Sequence, residues 1–211
     1  MLGETTRDRK TERREATRQE ILAAAWAVAH EYGLAQLTLR QVAHRVGMRA
    51  PSLYTHFASK HAIYDAMFGQ AWQQCDALAA DATARLPHQP RAMVKAISRT
   101  FFDFSVADLA RHQLMNQRTV PGFTPSEESY APSRRVVART VDTLAGIGVT
   151  DRGDIEIWFA VVAGLIDQQF ANDPGGDSRR RLLDRAVDMW ADLVGLPEDD
   201  EPIDTGTGIR P

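Results

Sequence analysis

The chain has 211 residues, 44% of them hydrophobic and 25% charged, with a formal net charge of −3. That length holds one large domain or two small ones, and the apolar share excludes wholesale disorder. Every apolar run stops short of the roughly 18 residues that a membrane span needs, and the opening MLGETTRDRK lacks the apolar core of a secretory signal.

The single cysteine, Cys75, cannot form an intramolecular disulfide, which suits a reducing, cytoplasmic setting. Charge is unevenly spread. Residues 1–60 carry ten Lys and Arg against six Asp and Glu, while the remainder carries fifteen against twenty-two. A basic N-terminal segment on an acidic body permits an anionic partner without requiring one.

In chain order, residues 1–10 read as a flexible basic arm, and Arg13, Arg14 and Arg18 carry its charge into a first helix over 11–32. In that helix Ile21, Ala25, Val28 and Tyr32 recur at helical spacing, and Gly33 supplies its stop. Thr38 with Gln41 three residues on has the form of a capping box, so a short helix begins at Leu39. Gly47 then takes a sharp turn into a second short helix. Its inward stripe is Leu53 and Phe57, and its outer face carries Ser52, Tyr54, Thr55 and His56.

Two short helices joined at a glycine, with a polar and basic outer face, suit insertion into the DNA major groove. Hydroxyls and an imidazole reach base edges or phosphates, and Arg49 at the mouth of the second helix reaches a phosphate or guanine. Lys60 opens the next helix, where main-chain amides, helix dipole and ammonium favour a phosphate together. Thr38 does the same at the first helix start. The expected DNA-binding set is Thr38, Arg40, Arg49, Ala50, Ser52, Tyr54, Thr55, His56 and Lys60.

Further helices are expected from Lys60 to a stop before Pro87, over 92–104, over 106–117, and from a capping box at Thr124-Pro125-Ser126-Glu127 that is kinked or interrupted at Pro132. Others follow over 136–144, 154–170 and 178–194, and the tail 197–211 reads as a disordered acidic segment. No strand pattern is present. The expected class is all-α with about nine helices, divided into a helix-turn-helix domain over 11–60 and a helical ligand-binding and dimerisation domain over 61–196.

LTLRQVAHRVGMRAPSLYTHFASK resembles the DNA-binding signature of the tetracycline-repressor (TetR) family of bacterial transcription regulators, and with the preceding helix the likeness covers roughly residues 14–68. Arg49 departs from it, standing where the family often has a serine or threonine that caps the recognition helix. The resemblance implies a two-fold dimer on a palindromic operator, with a small hydrophobic effector bound among the middle helices to release a repressor. Trp72, Phe101, Phe104, Met115 and Phe123 are the candidate pocket walls, although plain core packing explains each equally well. Trp158, Val162, Ile166, Leu183, Val187 and Trp190 are the candidate dimer interface.

No Gly-x-Ser-x-Gly, His-Glu-x-x-His, Cys-x-x-Cys or glycine-rich phosphate loop is present, so no enzyme, cofactor or metal site is expected. Two competing readings remain at this stage: a regulator without an effector, and a helical dimeric interaction protein that ignores DNA.

Overall fold

The computed structural model describes residues 3–199, with side chains from residue 9; the expected acidic tail lies almost wholly outside them, as do most side chains of the arm. Among the described residues there are nine α-helices and no strand: α1 (Gly3–Tyr32), α2 (Leu39–Arg45), α3 (Ala50–Leu53), α4 (Lys60–Thr83), α5 (Pro90–Val106), α6 (Leu109–Asn116), α7 (Glu127–Gly146), α8 (Arg152–Asn172) and α9 (Leu183–Leu193). No helix among them is long and apolar enough to cross a membrane. The described residues divide into two compact units, the first built from those up to 74 with 108–134, the second from 75–107 with those from 135 on.

The first unit closes around α1. Ile21, Ala25 and Val28 from α1 are buried with Leu37, Val42, Ala43, Leu53 and Phe57 of the following elements, and with Ile63, Tyr64 and Met67 from the start of α4. Contact with α1 is made by both α2 and α6. Tyr64 is fully buried and its hydroxyl donates to the Leu34 carbonyl. Burial pushes that phenol up to about 12, so it is a neutral donor throughout the physiological range.

In the second unit α5 packs on α8 and α9. Val94, Phe102, Leu144, Ile155, Trp158, Val162, Ile166, Leu183, Val187 and Trp190 form its core. Both indoles there are satisfied: Trp158 Nε1 donates to Ser98 Oγ at 3.1 Å and Trp190 Nε1 to the Asp154 carbonyl at 2.9 Å. The Arg91 guanidinium, also buried, donates to the Leu196 and Pro197 carbonyls and to Asp192, closing the chain's last described turn against α5.

Several helix boundaries differ from the sequence pattern. α1 begins at Gly3, so residues 3–10, expected as a flexible arm, are its first turns. The helix expected at Thr124 starts at Glu127, because Ser126 is the residue whose hydroxyl accepts from the amide three positions on, at Ser129 (3.2 Å). Pro132 sits within α7 without interrupting it, so the stretch expected as a separate helix over 136–144 is its continuation. The last expected helix divides into a 3-10 turn at Arg180–Leu182 and α9.

Candidate nucleic-acid interface

The helix-turn-helix is built from local chemistry. Thr38 is extended and its hydroxyl accepts from the Gln41 amide at 3.2 Å, while the Gln41 side chain accepts from the Thr38 amide at 2.9 Å, a reciprocal capping box that starts α2. At the other end Gly47 has φ 72°. The Gly47 amide donates to His44 and the Met48 amide to Ala43, at 3.1 and 2.9 Å, the pair of bonds that closes a helix through a left-handed residue. The chain is thereby turned sharply between α2 and α3 with two carbonyls of the last turn satisfied.

Arg49 stands at the N-cap of α3 without a side-chain cap bond, and a proline in the first turn presets the backbone there. The regular helix is one turn, Ala50–Leu53, and helical bonding continues past it. The Thr55 amide donates to Ser52 at 3.2 Å, and the His56 and Phe57 amides to Leu53 at 2.9 and 3.0 Å. Leu53 and Phe57 are buried and anchor this segment to the core.

Arg40, Arg49, Ser52, Tyr54 and Thr55 are exposed, with Thr38 exposed at the start of α2; Ala50 and Lys60 are half-buried beside them. Tyr54 is 54% exposed, a large side chain with no apolar surface covering it. His56 is turned further inward than the sequence face implies: it is half-buried, and its Nδ1 is shielded with no hydrogen-bond partner. It lines a cavity of about 500 Å³ with Arg18, Phe57, Ala62, Asp65 and Glu128. Lys60 begins α4, where the Ser59 hydroxyl caps the helix by accepting from the Ala62 amide at 3.1 Å. The Lys60 ammonium donates to the Ala35 carbonyl at 3.3 Å, and partial burial lowers its pKa.

Sequence reasoning missed the contribution of α1. The Arg18 guanidinium donates to the His56 carbonyl at 2.5 Å and lies 4.3 Å from the Phe57 ring centre, and Arg14 donates to the Thr55 carbonyl at 3.4 Å. The available signal was the spacing of these arginines, one helical turn apart on the same face of α1.

Of the candidate pocket walls, Trp72 and Phe123 both flank Phe68 in the first unit, at 6.4 and 6.3 Å between ring centres. Met115 is buried in that unit, whereas Phe101 packs against the core of the second; Phe104 is half-buried in the second unit. The Trp72 indole N–H is buried and has no partner. All six candidate interface residues, Trp158, Val162, Ile166, Leu183, Val187 and Trp190, lie in the second unit's own core, at 4% exposure or less. An apolar stripe at helical spacing faces the nearest apolar surface, and here that surface belongs to the same chain. The apolar side chains turned outward on α8, the 3-10 turn and α9 are Ile157, Phe159, Leu182, Met189 and Leu193.

Residues 21–67 match the bacterial regulatory proteins of the tetR family. Among characterised relatives, the tetracycline repressor protein class C of Escherichia coli is 36% identical over 50 residues, 24% of this chain and 23% of that repressor; the match thus spans about a quarter of its length. The HTH-type transcriptional regulator Rv1816 of Mycobacterium tuberculosis is 26% identical over 177 residues, covering 78% of this chain and 72% of that one. The fold is similar to that of a TetR family transcription regulator from Marinobacter aquaeolei VT8, with a TM-score of 0.65 at 17% identity over 86% of this chain and 97% of the other.

Proposed function

We propose that this chain, which belongs to the tetR family of bacterial regulatory proteins, is a cytoplasmic repressor that binds a palindromic operator as a homodimer and leaves it when a small hydrophobic effector binds. The observation that carries the reading is the exposed row Arg49, Ser52, Tyr54 and Thr55 on a short helix anchored by Leu53 and Phe57. Such a row has no packing role. It offers base-edge and phosphate partners on a rigid support, and Thr38 and Lys60, at two neighbouring helix starts, flank it as backbone contacts.

Arg40, Ala50 and His56 complete the proposed DNA-facing set, His56 with its Nε2 edge rather than with the shielded Nδ1. The DNA-binding role is assigned to residues 11–60, and effector binding and dimerisation to 61–196. Dimer contacts are assigned to the outward apolar side chains Ile157, Leu182, Met189 and Leu193, since the buried set is already occupied by the monomer's own packing. For the effector, support comes from Trp72: a buried, unpartnered indole N–H in apolar surroundings is a donor that a ligand's carbonyl or hydroxyl would satisfy. Met115 and Phe123, in the same unit as Trp72, are the accompanying proposed walls.

The test is selection of genomic fragments by the purified protein, followed by fluorescence anisotropy on the selected duplex. Ser52→Ala combined with Tyr54→Ala is expected to weaken that duplex by about 2 kcal/mol or more while leaving the melting temperature unchanged. Unchanged operator affinity in that variant would remove the recognition role from this segment.

A further inference from the structure

We infer that Arg18, assisted by Arg14, is a positioning residue for recognition, fixing the angle of the Ser52–Phe57 segment from behind instead of contacting DNA. This rests on the DNA-binding reading above and adds to it a residue outside the helix-turn-helix.

The argument begins with orphan carbonyls. The last carbonyls of a helix have no intrahelical donor, and a short helix has little besides its ends. In this segment regular α-helix lasts one turn, Ala50–Leu53, and beyond it the bonding is mixed, i→i−3 at Thr55 and His56 and i→i−4 at Phe57. Left alone, such a segment frays, and its outer side chains would sample many orientations. Two of its terminal carbonyls are instead taken from α1: Thr55 O by Arg14 at 3.4 Å and His56 O by Arg18 at 2.5 Å. A cation at a helix C-terminus also opposes the negative end of the helix dipole.

Arg18 is held as well as holding. Its guanidinium lies 4.3 Å from the centre of the Phe57 ring, and Phe57 is itself buried against the core. Glu15 stands 3.8 Å from its Nε. A planar, delocalised cation stacked on a ring while donating in its own plane is a geometry that lysine cannot reproduce. The side chain is only 33% exposed, with one of its N–H groups donating to the recognition segment. Arg14 is exposed and its bond is long, so its share is smaller.

A phosphate contact and a positioning contact leave different traces. A lost phosphate contact lowers the slope of log affinity against log salt by about 0.9 and weakens all sequences alike. A lost brace leaves the slope unchanged and erodes discrimination, because base contacts are the ones that need an accurate angle. The experiment measures, for wild type, Arg18→Lys and Arg18→Ala, the affinity for the duplex selected by the wild type and for a scrambled duplex of equal length, across a salt series.

Arg18→Lys keeps the charge and is expected to lose about tenfold of the selected-to-scrambled ratio with the salt slope intact; Arg18→Ala behaves likewise. Faster amide exchange at Tyr54–Phe57 accompanies the loss. If Arg18→Lys retains the ratio while Arg18→Ala loses slope, Arg18 is a phosphate contact and the inference is overturned. It is equally overturned if neither variant changes ratio or slope. Should Arg18→Ala prove unfolded, Arg18→Lys decides alone. A wild type that discriminates no duplex would instead sink the DNA-binding reading itself.

Discussion

Asp65 holds Ser126 through both carboxylate oxygens: Oδ1 accepts from the Ser126 amide at 2.7 Å and Oδ2 from its hydroxyl at 2.8 Å. Oδ2 also accepts from the Ser129 hydroxyl at 2.9 Å. One carboxylate on α4, five residues beyond Lys60, thus caps the N-terminus of α7, where the dipole favours a negative charge. The close approach is marked at Gly69, where an added Cβ would stand 3.1 Å from Ser129 Oγ.

Asp65→Ala is therefore expected to destabilise the protein by about 1–2 kcal/mol, the loss of a cap together with charge-assisted bonds at a partly exposed site. Urea denaturation followed by circular dichroism checks it. A change within a few tenths of a kcal/mol would mean that water replaces the carboxylate without cost. Asp65→Asn, which keeps one acceptor, is expected to fall between the two.

Gly47 separates conformational strain from steric clash. Its φ is 72°, and a Cβ built there meets nothing within 4 Å. Gly47→Ala should consequently cost only the left-handed backbone penalty, about 1 kcal/mol, and Gly47→Asn less. Thermal melts of the two variants give the ordering. A cost for alanine several times larger would show that the turn is constrained by something other than its own backbone.

Acid should weaken the second unit through two carboxylates. Hydrogen bonds from Arg99, helped by the charges of Arg99, Lys95 and Arg180, hold Asp184 below the ordinary carboxyl value in spite of its partial burial. Burial raises Asp76, but hydrogen bonds and charge from Arg135 and Arg139 outweigh it, so its pKa is lowered too. Because the folded values are depressed, the stabilisation is present above the unfolded value of about 3.9 and is lost as pH falls through the folded ones. In melts between pH 6 and pH 2.5, Asp76→Asn with Asp184→Asn is expected to start lower and decline less, so that its curve converges on the wild type in acid. Parallel curves would remove these pairs as the cause.

The legible parts of the sequence were those whose physics is local. The Thr38–Gln41 box, the Gly47 turn and the Leu53/Phe57 stripe each involve residues within five positions, and the structure carries all three. α7 is capped by Ser126 and not by the expected Thr124, and that choice goes with Asp65, 61 residues away. Arg18 on the His56 carbonyl spans 38 positions, so the four-residue spacing of Arg14 and Arg18 marks their shared face but not what that face touches. Apolar spacing on α8 and α9 located the buried faces correctly as apolar, yet periodicity cannot state which surface covers a stripe.

That distinction gives the last prediction. Leu182, Met189 and Leu193 are seven and four apart and follow one stripe, and Met189 and Leu193 are 65% and 68% exposed. Val187 on the opposite face is 1% exposed. If a second copy covers the outer stripe, Met189→Glu with Leu193→Glu should convert a particle of twice 23.5 kDa into one of 23.5 kDa by light scattering, with helical content and melting retained. Operator affinity should fall together with the dimer, because each copy would then hold only one half-site. Val187→Glu, by contrast, buries a charge in the monomer core and is expected to cost about 3 kcal/mol or more, lowering the melting temperature before any change in assembly. A double variant that stays dimeric would move the interface off α9, and a Val187→Glu protein that is folded but monomeric would show that the buried stripe serves assembly after all.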